Sequence, residues 1–170
     1  MAKAVQYWLM KSEPGAFSID DLANETNQTT FWDGVRNYQA RNFMRSMKVG
    51  DRVLFYHSNS DPPAVAGTAV VTCEAYPDFT ARDRNNKHYD PKATSENPIW
   101  EMVDIKLDTI FPELLSLKQL KETASLEGME LLRRGSRLSV QPVSKQHFHV
   151  VLKLARQAAA GGSSTRKKKS

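Results

Sequence analysis

The stretch RVLFYHSNSDPPAVAGTAVVTCEA (52–75) decides the fold. RVLFYHS (52–58) is apolar and aromatic and reads as a strand. NSDPP (59–63) is a turn, because Pro62 and Pro63 have no N–H to give to a ladder. AVAGTAVVTCEA (64–75) is a second, longer strand of small and β-branched residues. Consecutive strands therefore occupy the middle of the chain.

On the N-terminal side, AVQYWLMK (4–11) is a buried strand that stops before Pro14, with Tyr7 and Trp8 read as core. A short helix follows: Ser18 and Asp21 have capping-box spacing, and Phe17 and Leu22 have that of a hydrophobic staple. NETNQTTF (24–31) is polar and is expected to be loop. RNYQARNFMRSMK (36–48) is helical by period. Ala40, Phe43, Met44 and Met47 make an apolar face, and Arg41, Arg45 and Lys48 make a basic stripe.

On the C-terminal side, residues 76–98 are long, polar and irregular, so they are either functional or disordered. IWEMVDIKL (99–107) alternates, with Ile99, Val103, Ile105 and Leu107 on one face and Trp100, Met102, Asp104 and Lys106 on the other. Ser116 and Gln119 start another helix, with Leu115 and Leu120 as its staple. GSRLSVQPV (135–143) is extended, and a last helix from Ser144 aligns Phe148, Val151, Leu152 and Ala155. No βαβ rhythm and no internal repeat is present. The expected class is α+β: a curved mixed sheet or small mixed β-barrel flanked by helices. The domain spans 1–157, and an unstructured basic tail spans 158–170.

The chain has 170 residues, 40% hydrophobic and 25% charged, which suits one soluble domain. The terminal GGSSTRKKKS holds four cations and no acid, so of the formal +5 about +1 stays with the rest. Global charge is thus a weak argument for nucleic acid. Cys73 is the only cysteine, which excludes an intramolecular disulfide and points to a reducing compartment. Within VVTCEA its thiol is read as a small hydrophobe rather than a nucleophile. No apolar run approaches the roughly 18 residues that span a bilayer, and the N-terminus lacks a secretory pattern. A soluble, cytoplasmic, membrane-free monomer is expected. One Cys and the four scattered His (57, 88, 147, 149) do not make a metal site. Phosphate-binding and nucleophile-elbow motifs are missing, so neither cofactor nor catalytic group is expected.

The densest chemistry lies in FWDGVRNYQARNFM (31–44). Trp32 is either core or a stacking platform. Asp33 accepts hydrogen bonds, Arg36 donates them, Asn37 does both, and Gly34 permits close backbone approach. An aromatic wall beside such groups is what a flipped or single-stranded base requires.

Several stretches, taken in order, are YWLMKSEP (7–14), WDGVRNYQARNFMR (32–45), GDRVLFYHS (50–58), GTAVVTCEAYPDFTA (67–81), HYDPKA (88–93), PIWEMVDI (98–105) and RLSVQPV (137–143). Together they resemble the EVE domain family, within the wider PUA-like fold that also includes YTH domains. The resemblance implies a PUA-like mixed β-barrel with flanking helices and a pocket for one base. Modified cytosine in DNA, 5-methyl- or 5-hydroxymethylcytosine taken out of the duplex, is the implied ligand; modified RNA, as in YTH relatives, is the alternative. The implied base-binding residues are Lys11, Ser12, Glu13, Trp32, Asp33, Gly34, Val35, Arg36, Asn37, His57, Ser58, Tyr89, Asp90, Pro91, Ser139, Val140 and Gln141, with Trp32 as the stacking wall. Position 88 is His where an aromatic is commoner, which leaves its part in stacking open.

Each assignment has a plainer counterpart. Trp100 is read as core, Asp90-Pro91 can be a simple turn, and Arg41, Arg45 and Lys48 are either phosphate contacts or a solvated face. Two other function classes stay open: an enzyme on a modified nucleoside with Asp33 or Glu13 as base, and a protein-interaction scaffold in which Trp32 is sealed in the core.

Overall fold

The computed structural model describes the backbone of residues 4–169 and the side chains of residues 4–160. Six strands, β1 (Tyr7–Ser12), β2 (Thr29–Phe31), β3 (Arg52–His57), β4 (Ala64–Pro77), β5 (Glu101–Ser116) and β6 (Val140–Val143), form one mixed sheet. Its order is β2-β5-β4-β3-β1-β6. β1 and β3 run parallel and every other pair is antiparallel. The helices are α1 (Ile19–Ala23), α2 (Tyr38–Ser46), α3 (Leu117–Lys121) and α4 (Lys145–Lys169). The strand order is open, so of the two expected α+β forms the sheet is the one found.

The sheet separates two cores. Trp8, Met10, Val53 and Phe55 pack with Ile19, Leu22, Ala40, Met44 and Met47 on one side. Leu9, Leu54 and Tyr56 pack with Leu120, Phe148, Val151 and Ala155 on the other. Successive strand residues point to opposite faces. A strand covered on both faces must therefore be apolar at every position, which is why YWLM and VLFY read as unbroken apolar runs. Trp8 is core, with its indole N–H satisfied by Asp51 Oδ2 at 3.0 Å. The capping boxes of Ser18–Asp21 and Ser116–Gln119 are both formed. β4 and β5 change register four times. At Gly67, beside one of these shifts, a Cβ would stand 2.1 Å from the Thr109 carbonyl oxygen and 2.4 Å from Ile19 Cδ1, so only glycine fits.

Several sequence expectations change. Residues 24–31 are not all loop: a 3₁₀ turn covers Thr26–Gln28 and β2 follows, pairing with Asp104–Lys106. Three residues of edge strand are too few to show a period. The strand expected over 99–107 starts at Glu101 and runs on to Ser116. Ile99 sits at a positive φ of 61° outside it. Cys73 is exposed, because burial along β4 ends at Val71. Through the tail expected to be unstructured from 158 the backbone of α4 runs on to Lys169, and the side chains beyond residue 160 lie outside the described residues. No helix among the described residues is long and apolar enough to cross a membrane.

Candidate nucleic-acid interface

Beyond the last residues of β1 the surface opens into a cleft of about 1300 Å³. Lys11, Ser12 and Glu13 form one lip, and Thr26, Asn27 and Thr29–Phe31 a second. Trp32 and Asp33 follow, Tyr76 and Asp104 come from β4 and β5, and Asn85–His88 close the far side. Ligand clefts commonly enclose about 300–1,000 Å³, so this one has room for more than a single base.

Trp32 is at once core and cleft wall. The residue is 8% exposed, and its ring meets Phe55 and Phe17 edge-on at 5.5 and 6.4 Å. The indole is therefore rigid, and only a small part of it is offered to a ligand. Asp33 beside it is half-buried and joins no ion pair among the described residues. Across the cleft, the Tyr76 hydroxyl donates a short hydrogen bond to Asp104, and burial followed by that bond pushes the phenol pKa up. Lys11 is held below the usual lysine range by burial, which the charge of Glu130 partly offsets. Its ammonium lies 5.9 Å from the Tyr56 ring centre. With Glu13, Glu25, Asp33 and Asp104 against Lys11 and Lys87, the cleft is richer in acceptors than in cations. Such a lining suits the amino edge of a base better than a phosphate.

Of the expected base-binding residues, Lys11, Ser12, Glu13, Trp32 and Asp33 line the cleft and the other twelve do not. Most of the twelve have structural tasks. Asp78, fully buried, accepts from the Gly34 N–H at 2.9 Å and from Arg36 Nη1 at 3.0 Å. Arg36 also donates twice to the His88 carbonyl, at 3.0 and 2.8 Å, and so straps the 78–90 loop to the segment after Trp32. Val35 is buried in the core. Asn37 caps α2 by accepting from Ala40 N–H. Buried His57 accepts from Ile19 N–H, and burial pushes its pKa down although Asp20 opposes this. The Ser58 N–H donates to Ser12. Asp90 accepts from the Trp100 indole at 2.7 Å, between exposed Tyr89 and Pro91. The Ser139 carbonyl accepts from the Lys11 N–H. Val140 and Gln141 are buried in β6, and Gln141 donates to the Leu138 carbonyl. Trp100 is core, stacked under Tyr38 at 4.9 Å. The basic stripe has protein partners: Arg41 donates to the Ile99 carbonyl, Arg45 pairs with Glu101, and Lys48 lies 3.6 Å from Glu74. Among the described residues no group of three or more His, Cys, Asp or Glu is placed to hold a metal.

The sequence matches the EVE domain over residues 6–154. The chain belongs to the EVE domain family. It is 44% identical over 165 residues to thymocyte nuclear protein 1 of Homo sapiens, covering 87% of this chain and 73% of that protein. A hypothetical protein from Leishmania major superimposes with a TM-score of 0.88 at 50% identity, covering 92% of this chain and 98% of that one. Human THYN1, solved in complex with DNA containing 5-methylcytosine, superimposes with a TM-score of 0.83 at 44% identity, covering 88% and 97%.

In this EVE domain the cleft residues that the sequence did not single out come from four separate places: Ala16 and Phe17, Glu25–Asn27 with Thr29–Phe31, Tyr76 with Asp104, and Asn85–His88. His88, left open from the sequence, lines the cleft, while its neighbour Tyr89 does not. Gly34 sets that position. Its φ is +80°, and a Cβ there would stand 2.6 Å from the His88 ring. Gly34→Ala is therefore expected to cost about 1–3 kcal/mol for the left-handed backbone alone. It should also push the His88 ring aside, which the His88 imidazole NMR shifts and a denaturant titration would report together.

Proposed function

We propose that this EVE domain binds DNA and holds one modified cytosine, turned out of the duplex, in the cleft. The observation that carries the reading is the rigid Trp32 ring on the cleft wall next to the Asp33 carboxylate, which joins no ion pair among the described residues. An aromatic surface takes the face of a base, and a carboxylate accepts from the cytosine amino group. Thymine presents an oxygen at that position and would meet the carboxylate unfavourably. The homologous THYN1 structure, with its 5-methylcytosine DNA, supports the same ligand class. The role is recognition without turnover.

The test is a titration of one duplex sequence carrying cytosine, 5-methylcytosine, 5-hydroxymethylcytosine or thymine at a single position, with RNA carrying N6-methyladenosine alongside. One buried methyl group contributes about 0.8 kcal/mol, or roughly fourfold in Kd. The expected order is methylated above plain cytosine by a few-fold, with thymine weakest. Equal, weak binding to every oligomer would remove the reading, and preference for the RNA would move it to the YTH-like alternative.

A further inference from the structure

Two phenylalanines stand outside both cores. Phe31 is 43% exposed and Phe79 is 50% exposed, and their rings meet edge to face at 5.3 Å. Phe31 ends β2 and lines the cleft, whereas Phe79 opens a 3₁₀ turn, Phe79–Arg82, just outside it. The turn is pinned on both sides of Phe79. Asp78 and Thr80 are buried, and the Asp78 carboxylate accepts from the Thr80 N–H at 2.8 Å and from Gly34 and Arg36. A backbone fixed this firmly holds an apolar ring out into water. Adjacent exposed rings gain little in folding and mark a contact surface.

The charges nearby identify what the surface meets. Arg82, Arg84 and Lys87 follow on the same loop, all exposed, and none is in an ion pair among the described residues. Lys87 and Phe31 also line the cleft, so the loop of cations and the ring pair each touch its rim at one residue. Ring faces beside unpaired cations fit an unstacked base and its phosphates. A protein partner with an apolar patch would have no use for three exposed cations on the loop that carries Phe79.

We propose that Phe31 and Phe79 form a stacking platform for the nucleotide next to the one in the cleft, with Arg82, Arg84 and Lys87 on its phosphates. This rests on the base-reading function above. A base that leaves the duplex strips its neighbour of a stacking partner, and an apolar wedge on a rigid turn takes that place. The size of the cleft, larger than one base needs, agrees with a second nucleotide at its edge.

The test uses Phe79→Ala, Phe79→Trp and the double variant Arg82→Gln/Arg84→Gln. Each is titrated with a 5-methylcytosine duplex, the plain duplex and free 5-methyl-2′-deoxycytidine. Phe79→Ala is expected to weaken both duplexes by about tenfold. It should leave their ratio and nucleoside binding unchanged, and Phe79→Trp should restore duplex affinity. The double Gln variant should flatten the slope of log Kd against log salt by about two, one per lost phosphate contact. Duplex binding by Phe79→Ala equal to that of the parent protein overturns the platform, as does an equal loss for the free nucleoside. If the parent protein shows no preference for the methylated duplex, base reading fails by itself, while the tenfold loss at Phe79→Ala still reports the platform.

Discussion

Replacing Asp78 with alanine is expected to lower stability by about 3–5 kcal/mol, the usual cost of removing one partner from a buried ion pair. Asp78 is fully buried and holds the Gly34 N–H, the Thr80 N–H and the Arg36 guanidinium at 2.9, 2.8 and 3.0 Å. Alanine would leave those donors without their acceptor. Arg36 would lose the anchor from which it reaches the His88 carbonyl, and the loop that closes the cleft would come loose. Urea unfolding gives the stability loss, and amide exchange at 79–90 gives the local release. A variant as stable as the parent, with the loop still protected, would show that Asp78 is not the tie.

The same carboxylate sets a dependence on acid. Burial pushes the Asp78 pKa up, but the hydrogen bonds from Thr80, Gly34 and Arg36 and the Arg36 charge outweigh it, and the net is below the ordinary 3.8. The folded value lies under the unfolded one. The contribution is therefore complete above the unfolded pKa and disappears as pH falls through the folded pKa. The stability gap between parent protein and Asp78→Ala should be constant near neutrality and should narrow below about pH 4.

The elements could be read in the sequence because their signals are local. Apolar runs at 7–10 and 53–56 announced strands, and Ser18 and Ser116 announced helix starts. The half of the cleft nearest Trp32, together with Lys11–Glu13, could also be read, since it follows directly on strand ends. The other half could not. Nothing in residues 85–88 shows that an arginine 52 positions earlier in the chain will hold them over the cleft. Arg36 looked like a ligand donor because its buried partner is 42 residues away. Asn37 is different: a polar residue three before Ala40, at the start of a helical period, is an N-cap signal, and it could have been assigned as one. The basic stripe is a similar case, for its acids Glu74 and Glu101 lie on strands whose register no local pattern reveals.

Trp32 is expected to matter as much for binding as Phe79, and testing it requires separating its two roles. Truncation to alanine removes a ring packed on Phe17 and Phe55 and is expected to cost about 3–5 kcal/mol of stability, which by itself would blur any binding result. Trp32→Phe keeps an aromatic in the core while withdrawing the indole edge from the cleft. It is expected to fold and to bind the 5-methylcytosine duplex about tenfold more weakly, which is about 1.4 kcal/mol and toward the lower end for one stacked base. The low end follows from exposure, because only 8% of the residue faces the cleft. The preference for methylated over plain cytosine should fall with it, since the methyl group is sensed only while the ring is held in place. Phe55→Leu is the control. Phe55 touches the indole from the core and does not line the cleft, so this change should lower the denaturation midpoint and leave Kd near the parent value. If Trp32→Phe loses stability but binds like the parent protein, the indole is core alone. The base would then have to stack elsewhere in the cleft, with Phe17, Phe31, Tyr76 and His88 as the remaining ring surfaces.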